Sequence, residues 1–133
     1  MPEHEKYMER AYDALESARI LFESRKYNAS ISQAYYSMFY ASKALLSVRG
    51  IYPRTHRGVV SELGLKFVNE GFIEELYGKI LAKGMQMRER VDYDAYYKAS
   101  REEAEEIIRE AEIFVERIAR ALSEILKLGD FRD

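Results

Sequence analysis

No proline follows Pro53 in this chain, and the only one before it is Pro2. A chain with so few helix breakers is free to run as long helices wherever apolar residues recur at helical spacing. They recur almost throughout. Met8, Ala11, Tyr12, Leu15, Ala18, Leu21 and Phe22 predict a first helix over roughly residues 3 to 25. Asn28 is a plausible N-cap for a second helix running to about Val48. Ala34, Met38, Ala41, Leu45 and Val48 form one stripe of it, and Tyr35, Phe39 and Leu46 widen that stripe. A helix apolar over so much of its circumference belongs at the centre, packed from several sides.

Gly50 and Pro53 break the chain into a loop, and Thr55 reads as the cap of a shorter helix with Val59, Val60, Leu63 and Phe67, stopped by Gly71. A fourth helix continues through Leu76, Ile80 and Met87. Gly78 and Gly84 weaken it by about 1 kcal/mol each relative to alanine. Ser100 and Glu103 form a capping box in sequence. The last helix carries Ala104, Ile107, Ile108, Ala111, Val115, Ile118, Leu122 and Ile125 and ends near Gly129. The expected fold is an all-α, up-and-down helical bundle of four main helices plus one short helix. Residues 1–129 form a single domain and 130–133 a frayed tail.

Several kinds of chemistry drop out. The chain has no cysteine, so it has no disulfide, thiolate nucleophile or cysteine-bound metal. Its two histidines are His4, in a stretch expected to fray, and His56, in a loop. No His-Glu-x-x-His pattern accompanies them, so no metal site and no cofactor are expected. Phosphate-binding glycine loops are absent as well. There is no apolar run near 18 residues and no signal-like start, which points to a cytoplasmic protein without a membrane span. The formal charge of −2 speaks against binding nucleic acid by bulk charge, so any such contact needs a local patch.

Two patches qualify. One is Arg49-Gly50-Ile51-Tyr52-Pro53-Arg54-Thr55-His56-Arg57, whose cations end at a helix N-terminus where free amides favour anions. Its plain alternative is a solvated connection balancing acidic neighbours. The other is Arg88-Glu89-Arg90-Val91-Asp92-Tyr93, flanked by Met85 and Met87 on one side and Tyr96-Tyr97 on the other. Arginine beside aromatic rings at a helix end suits a phosphate or a base. The same residues also read as an i,i+4 salt bridge between Arg88 and Asp92 and as tyrosine packing. Eleven of the 133 residues are tyrosine, and Tyr35, Tyr36 and Tyr40 lie in the broadly apolar helix, where an architectural role is expected.

Four stretches in order resemble one family. They are Ala34-Tyr35-Tyr36-Ser37-Met38-Phe39-Tyr40-Ala41 with Ala44-Leu45-Leu46, then Thr55-His56-Arg57-Gly58-Val59. Arg88-x-x-x-Asp92-Tyr93 follows, and Ser100-x-Glu102-Glu103-Ala104 leading to Phe114-Val115 is the last. Together they resemble the HEPN domain (higher eukaryotes and prokaryotes nucleotide-binding), in its small stand-alone prokaryotic form. The resemblance implies a homodimer with its working groove at the dimer interface. It also implies a minimal nucleotidyltransferase as partner in a toxin–antitoxin pair. Many such proteins are metal-independent endoribonucleases whose signature is an arginine followed five or six positions later by a histidine. Here Arg88 takes the arginine position, Glu89 the polar position after it, and Tyr93 stands where the histidine is usual.

That departure matters because cleavage through the 2′-hydroxyl needs a base near neutrality and a cation for the developing charge. A phenol with an ordinary pKa near 10 is about three units short at pH 7. The sequence therefore favours binding of RNA, a nucleotide or a nucleotidyltransferase through Arg88, Arg90, Asp92 and Tyr93, with Arg49, Arg54 and Arg57 as further cations. Cleavage by Arg88 with Tyr93 or His56 is the alternative, and a non-catalytic helical adaptor is a third reading.

Overall fold

The computed structural model describes residues 2–129 and is all-α. Its helices are α1 (Glu3–Glu23), α2 (Tyr27–Ser47), α3 (His56–Leu63), α4 (Glu75–Tyr93) and α5 (Arg101–Leu128). A π-helical turn, Gly64–Val68, extends α3. No strand occurs among the described residues. The expected helices are all present with ends shifted by a few residues, and the short helix is the one split between α and π geometry. The tail at 130–133 lies outside the described residues.

α2 is the centre of the bundle and packs against α1, α3, α4 and α5. Its long run of small and apolar side chains explains why. Ala34, Ala41 and Ala44 are fully buried, as are Ala11 and Ala18 of α1, so small residues on both helices let their backbones approach. Ser30 sits fully buried and donates its hydroxyl to the Ala18 carbonyl at 2.8 Å, tying the two helices together. Tyr35, Met38, Leu45 and Leu46 are fully buried too and meet Leu63, Phe67, Leu81, Ile107 and Phe114 in one continuous core.

Two local expectations are corrected. Asn28 does not cap α2, whose N-cap is Lys26 with no side-chain cap bond. The Asn28 amide instead donates to the Tyr97 carbonyl at 3.1 Å and accepts from the Ala99 amide at 2.8 Å. It thereby pins the α4–α5 connection to the start of α2. His4 is not in a frayed stretch: it lies in the first turn of α1 and is buried.

Other end signals read as expected. Thr55 caps α3, Ser100 and Glu103 form both bonds of a capping box, and Gly129 closes α5 with φ 71°.

Candidate functional site

The site is assembled by three helices around Tyr35. In α3, the Gly58 amide donates to Thr55 Oγ1 at 2.9 Å. A Cβ on Gly58 would fall 2.9 Å from that oxygen and 3.1 Å from the Pro53 Cβ, so glycine lets the cap close against Pro53. This cap makes His56 the first residue of α3, not a loop residue as expected, and lays its ring on α2. The His56 ring is 4.4 Å from Phe39 at 31°, 5.6 Å from Tyr35 and 6.1 Å from Tyr36, centroid to centroid. The Tyr35 hydroxyl and His56 Nδ1 are 2.6 Å apart.

From the other side comes α4. A Cβ on Gly84 would lie 2.6 Å from the Met38 methyl and 3.5 Å from the Tyr35 ring, so the missing side chain is what lets α4 lie close to α2. One turn later Arg88 reaches the same ring, with its guanidinium carbon 5.4 Å from the Tyr35 centroid. Arg88 is only 8% exposed, rare for a charged side chain. Its Nη1 donates to Asp92 Oδ2 at 2.9 Å, while its buried Nε has no hydrogen-bond partner. Leaving a buried donor unmet costs about 1–3 kcal/mol. An i,i+4 ion pair placed only for stability gives back a few tenths.

The electrostatics follow from this geometry. Burial pushes the Tyr35 phenol well above its ordinary pKa, with the Arg88 charge opposing, so it stays protonated. Burial, then the Arg88 and Lys43 charges, hold His56 below the ordinary histidine value, with Glu89 and Asp92 opposing. Burial pulls Arg88 down, but the Asp92 hydrogen bond and nearby charges leave it above its ordinary value and permanently cationic. A buried cation, a neutral imidazole and a neutral phenol share one spot, and the carboxylate beside them is partly exposed. Such a set suits an anionic oxygen.

The other expected site residues are dispersed. Arg90 lies over the Tyr97 ring at 4.0 Å, and the Tyr97 hydroxyl donates to Glu103 Oε2 at 2.8 Å. Tyr93 ends α4, 81% exposed. Five residues past Arg88 places it about 140° around the helix from that side chain. Arg49 is laid over Phe72 at 4.9 Å and Phe67 at 5.7 Å, and Arg54 and Arg57 are exposed. The structure therefore brings together Arg88, Asp92 and His56. Sequence reasoning missed Tyr35 and Phe39, which join them. The signal available was their i,i+4 spacing on α2 within the motif of the resemblance.

No group of three or more His, Cys, Asp or Glu among the described residues has the arrangement to hold a metal ion. No described helix is long and apolar enough to cross a membrane.

Comparison with known proteins shows the family. A protein of Methanocaldococcus jannaschii named "Putative toxin" is 48% identical over 119 residues, covering 90% of this chain and 88% of that protein. A second protein of that organism, with the same name, is 32% identical over 120 residues, 90% of this chain and 82% of its own length. A UPF0332 protein of Pyrococcus horikoshii is 53% identical over 79 residues, 59% of this chain and 56% of that protein. The model of the HEPN domain matches residues 4–122, which takes in α1 to α4 and most of α5 together with Tyr35, His56 and Arg88, and the chain belongs to the HEPN family.

Proposed function

We propose that this HEPN protein works as a homodimer that takes a phosphate of RNA or of a nucleotide at Arg88 and His56. On this reading it is the toxin-like half of a cytoplasmic pair whose other half is a minimal nucleotidyltransferase. The observation that carries the reading is Arg88: a cation 8% exposed, with an unmet Nε, set against Tyr35 and His56 of the same protomer. The names of the two Methanocaldococcus relatives support the toxin-like role. Arg54 and Arg57, exposed beside His56 in sequence, are placed to draw in a polyanion.

The test is binding of a labelled single-stranded RNA oligonucleotide, and separately of the nucleotidyltransferase, by native protein and Arg88→Ala. Loss of charge-assisted hydrogen bonds worth about 1.5–3 kcal/mol predicts RNA binding weaker by roughly 10- to 150-fold. Unchanged binding of both probes would sink the proposal.

A second reading, metal-independent cleavage of RNA, is favoured by the closeness of His56 to Arg88 within one protomer, which supplies an imidazole despite Tyr93 at the usual histidine position. Cleavage in the presence of EDTA, lost in both Arg88→Ala and His56→Ala, is its expected outcome.

A further inference from the structure

We infer that Tyr35 is a positioning residue that locks His56 in the tautomer protonated at Nε2, so that His56 serves the site as a hydrogen-bond donor to an anionic oxygen rather than as a proton-accepting base. The inference rests on the phosphate-binding reading above for its ligand, and on the Tyr35–His56 pair for its chemistry.

Counting hydrogens settles the direction of that bond. Tyr35 is completely buried, and its hydroxyl has His56 Nδ1, 2.6 Å away, as its hydrogen-bond partner. If Nδ1 carried the proton and donated, the phenol hydrogen would be stranded in the core. A stranded polar hydrogen costs about 1–3 kcal/mol. If the phenol donates to a bare Nδ1, both the phenol hydrogen and the Nδ1 lone pair are used. A neutral imidazole has one N–H, so with Nδ1 bare it stands on Nε2. Nε2 has no hydrogen-bond partner among the described residues, and the ring is only part-buried.

Protonating the imidazole meets three separate obstacles. It would place a hydrogen on Nδ1 and strand that of the phenol. It would put a charge in a part-buried place. It would also set that charge near Arg88 of α4 and Lys43 of α2. The groups facing His56 are Arg88, Glu89 and Asp92 from α4 and Tyr35, Tyr36, Phe39 and Lys43 from α2. Glu89 and Asp92 oppose the two cations without reversing the direction.

The consequence concerns chemistry. A base must offer a lone pair; His56 has one, on Nδ1, and Tyr35 occupies it. What remains is a neutral N–H donor beside a fixed guanidinium. That pair recognises a phosphate oxygen and steadies charge on it, and its donor role persists through the neutral pH range.

The experiment is nitrogen-15 NMR of the histidine side chains in the full-length chain, which has just two histidines. The signals missing in His56→Gln belong to His56. In free native protein the expected pattern is a protonated Nε2 and a bare Nδ1. In Tyr35→Phe, which keeps ring and volume, both tautomers should appear. The same variant should bind the labelled single-stranded RNA about fivefold more weakly, the worth of one net hydrogen bond. His56→Gln, whose amide can still donate from near the Nε2 position, should bind RNA more tightly than His56→Ala.

A proton on Nδ1 in the free protein overturns the inference, and so does an unchanged tautomer in Tyr35→Phe. Either can occur while RNA binding still depends on Arg88, which leaves the phosphate reading intact. Native protein that has the Nε2 tautomer yet does not bind RNA overturns the donor role through its ligand, and the phosphate reading with it.

Discussion

Arg88 and Arg90 are two residues apart on one helix, and the molecule uses them for different ends. Arg88 turns inward to Tyr35 and His56, keeps one donor, Nη1, on Asp92 and leaves a buried Nε unmet. Arg90 turns toward the α4–α5 connection and covers Tyr97, whose hydroxyl bonds Glu103. Glu103 in turn completes the capping box of α5. Asn28 holds the same connection from the start of α2. The second group is closed: its named polar atoms find partners within the protomer. The first is open, with donors left over. A charge run on a helix is thus two surfaces, separated by phase, and the buried unmet donor lies on the one proposed to take a ligand.

The sharpest way to break this comparison is to push α4 off α2. Gly84→Leu would drive a large side chain into Met38 and the Tyr35 ring, and overpacking of this kind costs about 1–3 kcal/mol. The urea midpoint should fall accordingly, and RNA binding should weaken with it because Arg88 rides on the displaced helix. Normal binding in a destabilised Gly84→Leu protein means the Arg88–Tyr35 contact is not what shapes the site. Tyr97→Phe comes next. It removes one hydrogen bond to a carboxylate and should lower stability by about 1.5 kcal/mol, with RNA affinity unchanged. Arg90→Ala is smaller again, about 0.5–1 kcal/mol for an exposed cation on a ring. A loss of RNA binding in Arg90→Ala equal to that in Arg88→Ala would erase the distinction between the two arginines.

Much of the fold could be read from the chain because local signals dominate it. The 3.6-residue apolar period, the Thr55 cap, the Ser100–Glu103 box and Gly129 each act within one turn. What escaped reading is what distant segments settle. Asn28 has the side chain of an N-cap, and only the folded chain reveals that Tyr97 and Ala99 compete for it. Gly84 looked like a helix weakened by its lack of a side chain; its cause is a helix some 45 residues earlier pressing against it. In the candidate site, Arg88 and Asp92 were legible from their spacing. That His56 joins them through Tyr35 was not, because Tyr35 and His56 are separated by 21 residues and a turn whose course no local pattern specifies.

The smallest effect tests the closed group by its charge alone. Glu103 is held below its ordinary pKa of 4.5, first by the Ser100 amide and then by the Tyr97 hydroxyl, with burial opposing. A carboxyl depressed in the folded state binds protons more readily when unfolded. Its contribution is therefore complete above the ordinary value and disappears as pH falls through the lower, folded one. Glu103→Gln can still accept from both donors but has no charge to lose. Urea midpoints of native protein and Glu103→Gln should thus differ by a constant amount near neutrality and converge on acidification below about pH 4.5. Tyr97→Phe should narrow that convergence by removing the second donor. Arg88→Ala should leave it untouched, since Arg88 is not among the groups that shift Glu103. If Arg88→Ala alters the convergence as Tyr97→Phe does, the two arginines belong to one electrostatic unit, and their separation by helix phase is an incorrect division of the surface.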